Sequence, residues 1–460
     1  KGFIMGISSL GVGSSILTQD VLDQLREADD AKFIQPIDLE LANENDKKDA
    51  LNIVDANMTN LIDNIDVLKS ATLYDERSAT VTGTSVEVSA DPNTDIQDFT
   101  LDVTKLATKQ IEQSGTYTAK TDTIASGAGS INLNIDGQDF SIDYDATTTL
   151  DDLKDLINDV AGDKVDATIV QVNDTDFRLF ISSVDTGTTQ DITITDTTGN
   201  LSDTRLTTGL TAVQTAVDAE FTFNGQAITR TSNNISDLIT GLDITLKETG
   251  SSSVSVAQNR DSIMEKIDNF VEKYNAAISE LSRVTKQSTD SEERGIFSNE
   301  STIKSMKRAL ENMFANVGEG AATMSDFGFD IDEDGVMSID KDVLNTKLDE
   351  DSANVEAFFS GGTYTKSDLS TVEMTGIFNE MATTVKSYTD FNATLDQYEN
   401  SIKDSISSLE DRKLTMTERL DSRYEILAKQ YAAYDAIIAK LNNASSMFVQ
   451  MANTQTSSQN

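Results

Sequence analysis

LNIVDANMTNLIDNIDVL, residues 51–68, is the stretch on which the fold turns. Leu51, Val54, Met58, Leu61, Ile65 and Leu68 recur at spacings of 3, 4, 3, 4 and 3. On a helix, that spacing draws one apolar stripe down one face and leaves Asn, Asp and Thr on the other. Such a stripe must be covered, and the far end of the chain carries a matching one. Leu420, Tyr424, Leu427, Tyr431 and Tyr434 alternate by 4 and 3, Ile438 and Leu441 continue the face, and Phe448 carries it into the tail. The two stripes predict an antiparallel bundle, built within one subunit from residues 51–68 and 395–430.

Further helical signals support the bundle. Ile37 and Leu41 extend the first stripe upstream, although the ENDKKD run at 44–49 reads as solvent-exposed, and Pro36 marks a break before it. Ile263, Ile267, Phe270, Tyr274, Ile278 and Leu281 form another stripe, and Ile303, Met306, Leu310 and Met313 place a helix over 299–316. An interruption is expected near 390–392. At the start, ISSLGVGSSILTQDVLDQL (7–25) ties a Gly/Ser run to Leu10, Ile16, Leu17, Val21, Leu22 and Leu25. It lacks the basic flank and cleavage site of a secretory signal, and its apolar run is too short to span a bilayer. Two apolar termini, this one and Ile438, Leu441, Phe448 and Met451, are therefore expected to dock between subunits.

The middle of the chain reads as β structure. TVTGTSVEV (80–88) and FTLDV (99–103) alternate apolar with polar residues. INLNIDGQDFSIDY (131–144) and FTFNGQAITR (221–230) each join two alternating runs through Asp-Gly or Asn-Gly, a strong hairpin signal. TTLDDLKDLIND follows the first as a short helix, and NNISDLI follows the second. The shared order of strand, Gly turn, strand, small helical turn and strand reads as an internal pseudo-repeat. Two small β-rich domains result, one nested in the other.

Composition narrows the chemistry. Lys+Arg is 36 and Asp+Glu 78, a net charge of -42, so nucleic acid is disfavoured as a partner, as are anionic membranes. His, Cys and Trp are all absent, which removes thiol nucleophiles, thiolate metal sites and histidine bases. DIDEDGVMSIDK (330–341) places Asp330, Asp332, Asp334, Gly335 and Ser338 at EF-hand positions, but Lys341 stands where Ca²⁺ needs a bidentate carboxylate. That segment is read as a β-hairpin turn. LGVGSS (10–15) lacks the Lys-Ser/Thr of a phosphate loop, and pairs such as Asp151 and Asp152 read as helix starts. No catalytic residue, cofactor or metal is assigned, and the chain is read as a non-enzyme.

The ends and the middle together resemble one family, the flagellar filament cap proteins, also called flagellar hook-associated protein 2. SSLGVGSSILTQDVLDQL is similar to the family's N-terminal signature. NGQAITRTSNNISDLITGLDITL (224–246) resembles its C-terminal-half signature through Arg230, Ser232, Asn233, Ile235, Leu238, Ile239, Gly241 and Leu246. FGFDIDEDGVMSID fits through Gly328, Asp334, Gly335, Ser338 and Asp340, and RLDSRYEILAKQYAAYDAIIAKLNNASSMF fits as the closing helix. The resemblance implies a multidomain α+β chain: a long-helix coiled coil or bundle formed by both ends, two inserted β-rich domains, and flexible helical termini. The expected division is terminal segments 1–36 and 442–460, bundle parts 37–72 and 259–441, and an inner β-rich domain 73–120 and 212–258. An outer β-rich domain, 121–211, nests within the inner one.

The same resemblance implies a secreted protein at the distal tip of the bacterial flagellum, a homo-oligomeric plate that helps exported flagellin fold and insert, with a pentamer as the expected subunit count. Implied partners are further copies of itself, flagellin, the hook–filament junction proteins, and the export chaperone and secretion apparatus. Alternatives are a hook–filament junction protein or other axial protein, or a surface adhesin. An adhesive role is also compatible with a cap.

Overall fold

The computed structural model describes residues 18–313 and 322–457. Leu10, Ile16 and Leu17 lie outside the described residues. The chain divides into two compact units, residues 1–70 with 264–460, and residues 71–263.

The first unit begins with α1 (Gln19–Phe33) and α2 (Gln35–Leu68). Pro36 occupies the first turn of α2, where a missing N–H costs no helical hydrogen bond, so the helix restarts there. The ENDKKD run does not interrupt α2, and Lys47 pairs with Glu44 one turn back at 2.8 Å. All six residues of the 51–68 stripe are buried.

The β-rich unit follows. It opens with α3 (Ala71–Asp75), β1 (Arg77–Thr82), β2 (Val86–Ala90), β3 (Gln97–Lys105) and β4 (Ile111–Gln113). Residues 80–88 thus form two strands rather than one. Gly83 at φ 125° makes the bend, and a Cβ there would stand 2.4 Å from the Ser252 hydroxyl. Next come β5 (Gly129–Ile135), β6 (Gln138–Tyr144), α4 (Leu150–Ala161), β7 (Val165–Asn173), β8 (Asp176–Ser183) and β9 (Thr193–Asp196). The unit closes with β10 (Thr211–Gln214), β11 (Ala219–Phe223), β12 (Gln226–Arg230), β13 (Asn234–Ile235), β14 (Leu242–Leu246) and β15 (Gly250–Gln258).

Both expected hairpins are present, β5–β6 and β11–β12. Asp136-Gly137 (φ 54° and 69°) and Asn224-Gly225 (φ 49° and 82°) put two left-handed residues at each turn, which matches the twist of the flanking strands. The pseudo-repeat fails at its helical step. Thr149 closes a capping box with Asp152 and starts α4, whereas residues 236–241 make bends and turns with no helix.

This unit holds two hydrophobic cores. One joins the sheet β1-β15-β3-β11-β12 to β13-β14-β2 through residues such as Phe99, Leu101, Phe221, Ile244 and Val254. The other joins β10-β4-β8-β7, β6-β5-β9 and α4 through Ile131, Leu133, Leu153, Ile157, Leu179 and Ile181. The second core is drawn from residues 117–206, which lie in sequence inside the span of the first.

The chain then returns to the first unit through α5 (Arg260–Thr285) and α6 (Ser301–Asn312). There follow β16 (Phe329–Ile331), β17 (Met337–Ile339), α7 (Lys341–Ser360), β18 (Gly362–Thr365), β19 (Thr371–Met374), α8 (Ile377–Thr389) and α9 (Thr394–Ser457). Phe270, Phe358, Phe359 and Phe378 pack at ring separations of 5.2–5.5 Å and anchor this part of the core. Lys386 on α8 meets Asp66 on α2 at 3.1 Å. Hydrogen bonds from Lys69 and Lys386 outweigh the opposing effect of burial and hold the Asp66 carboxyl below its ordinary range.

Candidate assembly surface

α9 runs for 64 residues, and its exposed and covered faces change along its length. Leu395, Ile402, Leu409 and Leu420 are buried, and α2 packs against α9. Beyond Leu420 the neighbour is α1. Arg26 bonds Asp421 at 2.5 Å, while Asp29 accepts from Arg423 at 3.1 Å and from the Tyr424 hydroxyl at 2.7 Å. Burial and the hydrogen bond to Asp29 push the Tyr424 phenol above its ordinary value. Nearer the α1–α2 bend, Lys413 meets Asp38 at 2.5 Å and Arg412 meets Glu40 at 3.5 Å. These exposed pairs fix register more than they add stability. Apolar cover comes from Leu22, which is 3% exposed on α1.

The expected docking residues therefore divide. Leu22 is buried in a chain whose own α1 packs on α2 and α9, and Val21 is half-buried. Leu25 is exposed. On α9, Tyr424, Leu427, Tyr431 and Ile438 are half-buried. Tyr434, expected in the bundle stripe, is instead 59% exposed. It belongs to a second face with its own heptad register: Tyr434, Ile437, Leu441, Ala444, Phe448 and Met451 follow at spacings of 3, 4, 3, 4 and 3, and every one is exposed. Leu441 and Phe448 are 64% and 69% exposed. The sequence carried the signal for this seam at Ile437 and Ala444, which the 4-and-3 reading through Ile438 passed over.

The remaining candidate chemistry resolves into structure. Among the described residues, no group of three or more acidic side chains is arranged to hold a metal. In the 330–341 segment, β16 and β17 pair, and the Asp332 carboxylate accepts the backbone N–H groups of Asp334 and Val336, both at 2.9 Å. Lys341 starts α7 and bonds Asp268 at 2.5 Å, so the residue at the twelfth position is a cation paired to α5. Asp152 caps α4, and Asp151 pairs with Lys154 at 3.1 Å.

Helices from the two outer parts of the chain that pack together, a β-rich unit inserted between them in sequence, and an exposed apolar heptad seam on the last helix are the architecture of a protein that presents surfaces rather than a catalytic cleft among the described residues. The family descriptions Flagellar hook-associated protein 2 N-terminus and C-terminus match residues 14–110 and 216–443, and the chain belongs to that family. A flagellar hook-associated protein 2 of Helicobacter pylori (strain J99) is 32% identical over 238 residues. That match covers 50% of this chain and 35% of the relative, so the chain matches about a third of that relative's length. One from Aeromonas caviae is 23% identical over 99% of this chain and 100% of its own. The fold is similar to the D1-D2-D3 domains of the flagellar cap protein FliD from Escherichia coli, with a TM-score of 0.60 and 22% identity. That likeness covers 77% of this chain and 99% of the other.

Proposed function

We propose that this protein caps the bacterial flagellar filament. In this reading it assembles as a homo-oligomeric plate at the distal tip, outside the cell, where exported flagellin folds and inserts beneath it rather than being lost. The observation that carries the reading is the exposed heptad seam from Tyr434 to Met451. A cap must grip the growing end without being permanently fused to it. A half-coiled coil, with a/d positions open to solvent, offers a surface that is buried only when a partner helix arrives. Fully burying Leu441 or Phe448 is worth about 1.5–3 kcal/mol each, enough for several such contacts to hold a subunit while each remains reversible. The names of the relatives, and the cap protein whose fold this chain shares, support the same assignment.

Flagellin and the hook–filament junction proteins are the partners for that seam, and the export chaperone and secretion apparatus are partners before assembly. The test uses cells lacking their own copy and supplied with the full chain carrying Leu441→Asp together with Phe448→Asp. The secreted amount of the variant is measured in the same culture. Normal export, few or no filaments and flagellin free in the medium is the expected result. Normal filaments built with the exported variant would remove the seam from the account.

A further inference from the structure

The nine-residue strand β7 is the end strand of its sheet, the longest end strand among the described residues. Its register pairs Asp166 with Ser182, Thr168 with Phe180 and Val170 with Arg178. On the far side of β8, Leu179 exchanges hydrogen bonds with Ser114, so odd-numbered β8 residues face β4 and even-numbered ones bond β7. In an antiparallel ladder the odd-numbered residues of β7 must then turn their N–H and C=O groups outward. At Ala167 those groups are taken: its N–H donates to Asn158 Oδ1 at 2.7 Å, and its C=O accepts from Asn158 Nδ2 at 2.9 Å. The outward groups of Ile169 and Gln171 carry no hydrogen bond from any described residue. Proteins commonly blunt such an edge along its length, and here the blunting stops at Ala167.

We propose that β7 is a self-pairing edge, on which a second copy of this chain lays its own β7 antiparallel about a two-fold axis at Val170. This goes beyond the capping role and does not depend on it. Asn158 sets the register. A dyad at Ile169 would need the groups of Ala167 that Asn158 already holds. A dyad at Gln171 would need Asn173, which lies past the register shift that ends the regular ladder. A dyad at Val170 uses Ile169 and Gln171 alone, each bonding the other in the second copy, and joins the two sheets into one. Val170 then faces itself across a non-hydrogen-bonded pair, and Thr168 faces Val172. Val170 is 39% exposed and Val172 53%, so both are available for that contact.

Charge selects the same stretch. Two chains of net charge -42 repel, yet residues 168–172, TIVQV, carry no charge. Asp166 and Asp174 flank this stretch on either side, so like charges of the two copies gather at its ends and make the pairing depend on salt. The contact is smaller than a free-standing dimer needs, so it acts between copies brought close by concentration or by other contacts.

Because the chain has no cysteine, Val170→Cys in the full-length protein reports on this contact alone. Non-hydrogen-bonded partners lie with Cα atoms about 4.5 Å apart, within the range a disulfide spans. Under mild oxidant at ~0.5 M salt, Val170→Cys is expected to form disulfide dimers about tenfold faster than the exposed controls Val172→Cys and Val213→Cys. Mixing Thr168→Cys with Val172→Cys should give the mixed dimer in excess of either homodimer. Far-UV circular dichroism verifies that each variant is folded. Equal rates for Val170→Cys and the controls, or no excess of the mixed dimer, would overturn the proposal.

Discussion

Asp55 sits on the polar side of the stripe that organises the bundle, and its surroundings are unfavourable to its charge. Burial, then the nearby carboxylates Glu399 and Asp396 on α9, raise its pKa above the ordinary value. A carboxyl with a raised folded-state pKa favours folding when protonated, and that contribution is lost as pH rises through the raised value. At pH 7, Asp55→Asn should therefore stabilise the first unit, by a few tenths of a kcal/mol after solvent screening. Thermal melts of variant and parent should converge as pH falls into the carboxylate range. A gap that widens on acidification would contradict this. Met58, one turn further along and fully buried, tests the stripe itself. Met58→Ala should cost about 2–5 kcal/mol, read as a shift in the denaturant midpoint with an unchanged slope. Leu22 and Leu441 make a pair of opposite character. Leu22→Asp places a charge on a buried position of α1 and should loosen the α1–α9 contact, seen as faster amide exchange over residues 19–33. Leu441→Asp changes an exposed position and should leave exchange there unaltered.

The helical elements were legible in the sequence wherever one face stays in register with a single neighbour, as in the 51–68 stripe and in α5. The hairpins were legible too, because only Gly with Asn or Asp readily accepts two consecutive left-handed residues. Elements were missed where the pattern breaks phase. α7 carries Leu344 and Leu348 on one segment and Val355, Phe358 and Phe359 on the next. Asp351 between them leaves helical geometry (φ -163°, ψ 88°), so no single period runs through both. α8 offers Ile377, Phe378, Met381, Ala382 and Val385 at helical spacing, but within 13 residues flanked by a hairpin. On α9 the difficulty is drift: a straight helix rotates relative to a heptad, so the face that meets α1 at Tyr424 cannot remain the same apolar row down to Met451. Two overlapping stripes in one helix read as one until the neighbours are known. The element that most needs testing is this tail. Residues 442–453 are exposed at the end of α9, so a chain shortened by removing residues 442–460 should melt as cooperatively as the full one, with its midpoint moved by no more than a few degrees. A large loss of stability would show that the seam is part of the core.

At the scale of the whole molecule, the division of labour follows from where apolar residues are covered. Both units bury cores of their own, so the inserted β-rich unit and the bundle each account for their own order. Among the described residues, the heptad seam at the end of α9 lies open and so, in the β-rich unit, does the outer edge of β7 at Ile169 and Gln171. The architecture expected from the sequence, helical ends with β-rich insertions, is the one observed, and it is the fold shared with the E. coli flagellar cap protein. The particular surfaces were less legible, because a stripe records that a face is apolar and says nothing of which neighbour covers it. The central claim, that this chain caps filaments, is tested most directly by electron microscopy of flagella with the full-length protein gold-labelled. The account predicts label confined to the distal tip of each filament. Label spread along the shaft, or gathered at the hook end, would contradict it.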